Sequence, residues 1–444
     1  MFWSTAALLL AALLLGGGPG WFGDRLLVVP ALGLAAWACW RLWQRPQRAG
    51  WAFWFLPAAL LTVPLLQLIP LPVELVRLLP GRAVYVNELA SVGALPTWMA
   101  WTLNAFQTER VLWFVVLPVA LYWGTACLER REQRHLLMGL VAFGLLSALV
   151  GFGQAMQGPT SPLYFYAETN PDDAVGFFAN RNHLAALLVC LLPLAAGLLA
   201  DRVRVSASSR DVQRWFLAFC LVVLALGATA TRSRAGFGML LASVVASALL
   251  LWFAPREAGK WLGSPRAWLQ VTGLLAVVAV VQTTLYNLLL RFEVDPLDDF
   301  RAVLTRRTWQ AAEPFAGTGA GLGTFMDGYG QLGEETADLP LFINHAHNDY
   351  VELWFEGGLP ALLLAAVALG LVVYALLQVL RRRTGDDANH GMLLGSGLPL
   401  LLLALHSLVD YPLRTAAVAA MAAVLAGVLL GPQEARASSL PQVP

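Results

Sequence analysis

A chain of 444 residues that is 58% hydrophobic and only 13% charged is excluded from the soluble globular class, where about a quarter of residues carry charge. Seventeen tryptophans point the same way, to a polytopic membrane protein. The formal net charge of +1 names no partner; none is expected among nucleic acids, and the placement of the arginines carries the information instead.

Apolar runs of spanning length recur along the chain, and about 20 apolar residues suffice for a helix to cross the hydrocarbon. The spacing predicts about twelve membrane helices, at 2–18, 21–40, 51–71, 110–128, 136–156, 183–200, 215–231, 235–253, 267–288, 358–380, 392–408 and 413–431. The first run is short and ends in Gly16-Gly17-Gly18-Pro19, but it lacks a basic leader and is kept as a span. The expected organisation is therefore nine helices over 1–288, one large loop over 289–357, three more helices over 358–431 and a polar tail over 432–444.

Arginines set the orientation. Arg41, Arg45 and Arg48 share one connection; Arg130, Arg131 and Arg134 share the next basic one. Arg202, Arg204, Arg210 and Arg214, then Arg256, Lys260 and Arg266, then Arg381, Arg382 and Arg383 follow. Twelve spans put all of these on one side, together with Arg436, and positive-inside bias makes that side the cytoplasm, with both termini in it. The opposite side receives 72–109, 157–182, 231–234, 289–357 and 409–412.

The long loop is expected to be partly helical. Asp298 or Asp299 serves as a cap for a helix running to about Phe315, with Pro314 ending it, and a second helix begins near Asn344 or Asn348. The run Gly317–Phe325 lacks the Gly-Lys-Ser/Thr ending of a nucleotide loop and reads as a tight, close-packed turn. Cys39, Cys127, Cys190 and Cys220 fall in or beside spans and indicate neither disulfides nor a metal site.

Ionisable residues on the outer side hold the chemistry. Arg181, Arg232 and Arg234, the Arg301, Arg306 and Arg307 group, and His406, Asp410 and Arg414 all fall there. Arginine on that side runs against topogenic bias, and an anion held in guanidinium forks would explain it. Singly, each can equally be a snorkelling side chain or a lipid-headgroup contact, and Arg306 and Arg307 can pair with the loop's acids. The segment His345-Ala346-His347-Asn348-Asp349-Tyr350, followed by Glu352 and Glu356, concentrates titratable groups just before a span. In extended chain the two histidines can share a metal, although spacing supplies no third ligand. With a helix start at Asn344, His345, Asp349, Glu352 and Glu356 form one polar stripe and His347 faces elsewhere.

These motifs resemble the O-antigen ligase and polymerase superfamily of bacterial inner-membrane glycosyltransferases. The resemblance covers roughly 170–430 and rests on Phe177–His183, Thr231–Gly236, Gly319–Phe325, His345–Tyr350 with Glu356–Pro360, and His406–Tyr411. It implies a GT-C-like all-helical fold and whole-glycan transfer from undecaprenyl pyrophosphate on the periplasmic face, without cofactor, nucleotide or metal. The implied acceptor is lipid A core or a second lipid-linked glycan, with protein as a further branch. By motif, His347 matches the family's catalytic histidine and Arg234 the Ser-Arg-Ala/Gly arginine. Arg301 matches the arginine of an Arg-x-x-x-Trp pattern, with Thr305 where tryptophan is usual. Arg181, Arg232, His345, Asn348 and Asp410 are then the substrate-binding set.

The chemistry agrees. Attack at an anomeric carbon needs a base beside the acceptor hydroxyl, for which His347 is suited, and the departing pyrophosphate gains charge that arginines stabilise. The rival from another class is a transporter, which would place ionisable groups near the midplane; here the spans are almost free of charge.

Overall fold

The computed structural model describes residues 1–18, 21–44, 50–167, 169–203, 211–253, 297–329, 344–381 and 389–432. Its elements in chain order are α1 (Phe2–Leu15), α2 (Trp21–Trp43), α3 (Trp51–Gln67), β1 (Pro70–Pro72), α4 (Val73–Leu78), α5 (Arg82–Ser91) and β2 (Trp98–Ala100). Then come α6 (Ala105–Ala126), α7 (Arg130–Gln157), α8 (Arg181–Val203), α9 (Asp211–Ala230), α10 (Arg234–Trp252) and α11 (Leu297–Ala312). The chain closes with α12 (Phe325–Tyr329), α13 (Asp349–Arg381), α14 (His390–His406) and α15 (Ala416–Leu430).

Among the described residues six helices are long and apolar enough to cross a membrane: α2, α7, α8, α9, α10 and α13, with α1, α3, α14 and α15 shorter but apolar. Every expected span falls on a helix except 267–288, which lies outside the described residues. The helix starts are legible as caps. Glu129 and Glu132 form a capping box on α7, Ser233 Oγ accepts from Gly236 N at 3.0 Å on α10, and Asn104 accepts from Gln107 N at 3.2 Å on α6.

The core is one helix surrounded by others. The spanning part of α8 is buried along its whole length, against α9, α10 and α14, while α15 is nearly as enclosed against α6 and α1. At the end away from the histidines, Asp201 of α8 caps α14 by accepting from Gly391 N at 2.7 Å and Met392 N at 2.9 Å. Arg134 of α7 pairs with the same carboxylate at 3.0 Å, tying three helices through one buried acid.

Two sequence expectations change. The stretch 72–109 is not a plain connection: β1 and β2 pair antiparallel around α4 and α5, the one small sheet among the described residues. The span expected at 358–380 is the second part of α13, which starts at Asp349 and is interrupted at Gly358, φ 61°. Asn348 sets that start, its Oδ1 accepting from Tyr350 N and Val351 N at 3.1 and 3.2 Å. The polar stripe consequently begins at Asp349 rather than at His345.

The interruption at Gly358 positions everything that follows. A break there and a proline at 360 leave the Phe355 and Glu356 carbonyls without helical partners. Ala320 N and Gly321 N supply them at 2.8 and 2.9 Å, and Leu359 N turns to Ala316 O at 2.9 Å. The glycine run is thus the close-packed turn expected: a Cβ on Gly319 would stand 2.2 Å from Glu356 O. Buried Gln67, at the end of α3, donates to Glu356 O at 2.9 Å and accepts from Leu322 N at 2.8 Å. Buried Arg82 of α5 donates to the carbonyls of Trp101 and Gly319. Gln67, before the small sheet, and Arg82, between its strands in sequence, therefore clamp the glycine turn onto α13.

Candidate active site

The segment before α13 is held in an unusual shape. Among the described residues, three that are not glycine have φ in the left-handed region: Asp172 at 72°, Arg232 at 53° and His347 at 50°. Such conformations persist only where surrounding contacts over-determine them, and they gather at functional sites. Here Arg232 and His347 are two of the residues singled out by sequence, and Asp172 adjoins the acid that holds the arginines.

His347 Nδ1 lies 3.2 Å from Asp410 Oδ1. A carboxylate only accepts, so Nδ1 carries the hydrogen and Nε2 is left as a base. Asp410 is fully buried, in the turn after α14. Burial alone would raise its carboxyl, but the His347 hydrogen bond and the neighbouring His183 and His406 outweigh burial and hold it well below the usual carboxylate range. Ionised Asp410 fixes both the ring orientation and the tautomer.

His345 makes a parallel pair, its Nδ1 2.8 Å from Glu352 Oε1. The Tyr411 ring lies between the two pairs, 4.2 Å from the His345 ring centroid and 5.1 Å from that of His347, with His183 of α8 at 5.2 Å. Burial first, then Asp410, pushes the Tyr411 hydroxyl up to about 12, so it stays a neutral donor. The two histidines thus engage different carboxylates. Among the described residues no group of three or more His, Cys, Asp or Glu side chains is arranged to hold a metal.

The arginines gather around a second acid. Buried Asp173 pairs with Arg181 at the start of α8 and, at 3.7 Å, with Arg232. Arg234 follows immediately, as the first residue of α10. Arg301 of α11 lies close enough to His406 for its charge to act on that imidazole. Asn348, besides capping α13, donates to Leu408 O at 2.9 Å, so its role here is to anchor the histidine segment to the turn that carries Asp410.

The structure thus brings His345, His347, Asn348 and Asp410 into one contact set, and pairs Arg181 and Arg232 with Asp173 rather than with the histidines. Sequence reasoning missed Asp173, Tyr411, Gln67 and Arg82 as members of this architecture. The signal for Tyr411 was present, beside Asp410; for the others, partners far along the chain decide the role.

An apolar groove of about 1080 Å³ reaches the site between α2, α3 and α6 on one side and α13, α14 and α15 on the other. Leu32, Pro57, Trp113, Leu364 and Ala422 line its length, and His345, Asp349, Glu356 and Arg414 line its polar end.

The described residues thus form a helical membrane protein in which His345 stands at the polar end of an apolar groove. Residues 219–366 match the family profile described as O-antigen ligase, which supports the superfamily the motifs resemble. The matched stretch holds Arg232, Arg234, Arg301, the glycine turn and the His345–Asp349 segment, and ends before Asp410. No curated protein matches the chain.

Proposed function

We propose that this protein is a glycosyltransferase that moves a glycan from undecaprenyl pyrophosphate to lipid A core at the periplasmic face of a bacterial inner membrane. His347, oriented by Asp410, is the observation that carries the reading. Its Nε2 takes the proton of the acceptor hydroxyl as that oxygen attacks the anomeric carbon. The bond from that carbon to the pyrophosphate oxygen breaks, and undecaprenyl pyrophosphate leaves with the bonding electrons. A single displacement inverts the anomeric centre.

Arg181, Arg232, Arg234 and Arg301 stabilise the departing pyrophosphate, a task fixed guanidinium groups perform without a divalent ion. His345, Asp349 and Glu356 line the opposite, acidic side, where an anionic leaving group is disfavoured and acceptor hydroxyls are not. Membrane lipids surround a bundle of twelve spans in a GT-C-like arrangement, with 289–357 periplasmic and both termini cytoplasmic.

The test is transfer by purified protein from a lipid-pyrophosphate glycan, with lipid A core or with donor alone, in the presence of a chelator. Product on lipid A core supports the ligase, and a ladder of longer glycans from donor alone makes it a polymerase. His347→Ala should abolish either product while the protein still inserts. Undiminished transfer by that variant would remove His347 as the base.

A further inference from the structure

Asp349, Glu352 and Glu356 recur at i, i+3 and i+7, so α13 presents three carboxylates on one face of its first two turns. Glu352 and Glu356 are buried. Like charges so close together would repel and would not stay ionised without a counter-ion. Arg414, in the turn before α15, is shared by all three. Its Nε reaches Asp349 Oδ1 at 3.2 Å, and its Nη1 lies 3.0 Å from both Glu352 Oε1 and Glu356 Oε2.

Each carboxylate spends its other oxygen on a different piece of the site. Asp349 Oδ2 accepts from Ser407 Oγ at 2.8 Å, tying the helix start to the end of α14. Glu352 Oε2 accepts from Ala346 N at 2.8 Å, while its Oε1 also meets His345 Nδ1. Glu356 Oε1 accepts from Phe325 N at 3.1 Å, at the start of α12. His347 sits between Ala346, gripped by Glu352, and Asp349, whose N donates to Ser407 O at 2.9 Å. That grip on both sides is what holds its backbone left-handed and its ring against Asp410.

We infer that Arg414 is a positioning residue for His347: by bridging Asp349, Glu352 and Glu356 with one guanidinium, it locks the 345–349 segment in the shape that aims the imidazole at the acceptor. The inference rests on the reading of His347 as the base. Arg414 is not a phosphate site, because its guanidinium is already engaged by three carboxylates. Its loss should therefore fall on kcat and spare the donor KM.

The experiment compares wild type with Arg414→Gln, Arg414→Lys and Glu352→Gln in lipid nanodiscs. Transfer kinetics are read alongside hydrogen exchange of peptides covering 344–352 and, as a control for global folding, 183–200. A misplacement of about 1 Å costs on the order of 10²-fold in rate, so Arg414→Gln should lower kcat by about that factor with donor KM unchanged. Exchange over 344–352 should quicken while 183–200 stays protected. Arg414→Lys, which keeps the charge, should recover most of both, and Glu352→Gln should show the same split if Arg414→Gln does not fold. Wild-type kcat in Arg414→Gln, or a raised donor KM with kcat intact, would overturn the inference. Undiminished transfer by His347→Ala, assayed alongside, would remove the base assignment on which the inference rests, whatever Arg414→Gln does. Unchanged exchange in Arg414→Gln would separately sink the positioning role.

Discussion

Asp410→Asn removes one charge and changes almost no volume, at a fully buried position whose Oδ1 holds His347 Nδ1 at 3.2 Å. Among the described residues Asp410 Oδ2 has no hydrogen-bond partner, so the new amide group has two ways to sit. With its NH₂ toward His347 it forces Nδ1 to accept, and Nε2 then carries a hydrogen and cannot act as a base. With its oxygen toward His347 the tautomer survives, but the imidazolium formed during transfer loses its counter-charge. The first arrangement removes the general-base contribution, worth about 10²- to 10⁴-fold, and the second weakens it by leaving the imidazolium uncompensated. At about 1.4 kcal/mol per decade that is roughly 3–5 kcal/mol of transition-state stabilisation. Single-turnover transfer with protein in excess over donor isolates the chemical step from product release. The expected result is that loss in rate, with donor affinity unchanged. A rate within about threefold of wild type would refute the idea that Asp410 sets the tautomer, since even the lower bound of the general-base range is far larger.

Arg234→Ala should weaken use of the donor much more than Arg234→Lys, because a point charge replaces the electrostatics but not the two-pronged geometry; equal effects would argue against phosphate recognition by Arg234. Gly319→Ala introduces a side chain at φ 74° within 2.2 Å of Glu356 O, so it should lower the thermal midpoint by an amount equivalent to about 1–3 kcal/mol and reduce transfer. Wild-type behaviour in both measurements would mean the turn is not packed on α13 as described. The Asp410 carboxyl is held below its ordinary value, so its contribution to stability is complete above the unfolded value of about 4 and is lost only as pH falls below that. The gap in unfolding midpoint between wild type and Asp410→Asn should thus not shrink between pH 7 and about 4.5; a gap closing between about pH 6 and 5 would contradict the shift.

The spans were legible because a bilayer demands long apolar runs whatever the fold, and the described helices follow them. The candidate site segment was legible because titratable residues are conspicuous in a chain that avoids charge. What stayed hidden is pairing. Nothing near Asp173 in sequence says that one carboxylate holds both Arg181 and Arg232, and nothing near Arg414 says that it gathers three acids from α13. His345 illustrates the limit from the other side. The stripe was expected from a helix beginning at Asn344, but capping by Asn348 delays the helix to Asp349, and His345 reaches Glu352 from outside it. Gln67 and Arg82 read as unremarkable residues at a span end and in a loop, because the carbonyls they satisfy lie more than two hundred residues downstream.

That separation has a consequence for how the enzyme is made. Gln67 and Arg82 leave the ribosome long before Gly319 and Glu356, and Arg414 and Asp410 come last. A growing chain therefore carries its earliest contributors with their polar groups waiting, and the histidine cannot be aimed until the final hydrophobic segment has been threaded. On the proposed mechanism, a chain that terminates before Asp410 should insert helices without acquiring transfer activity.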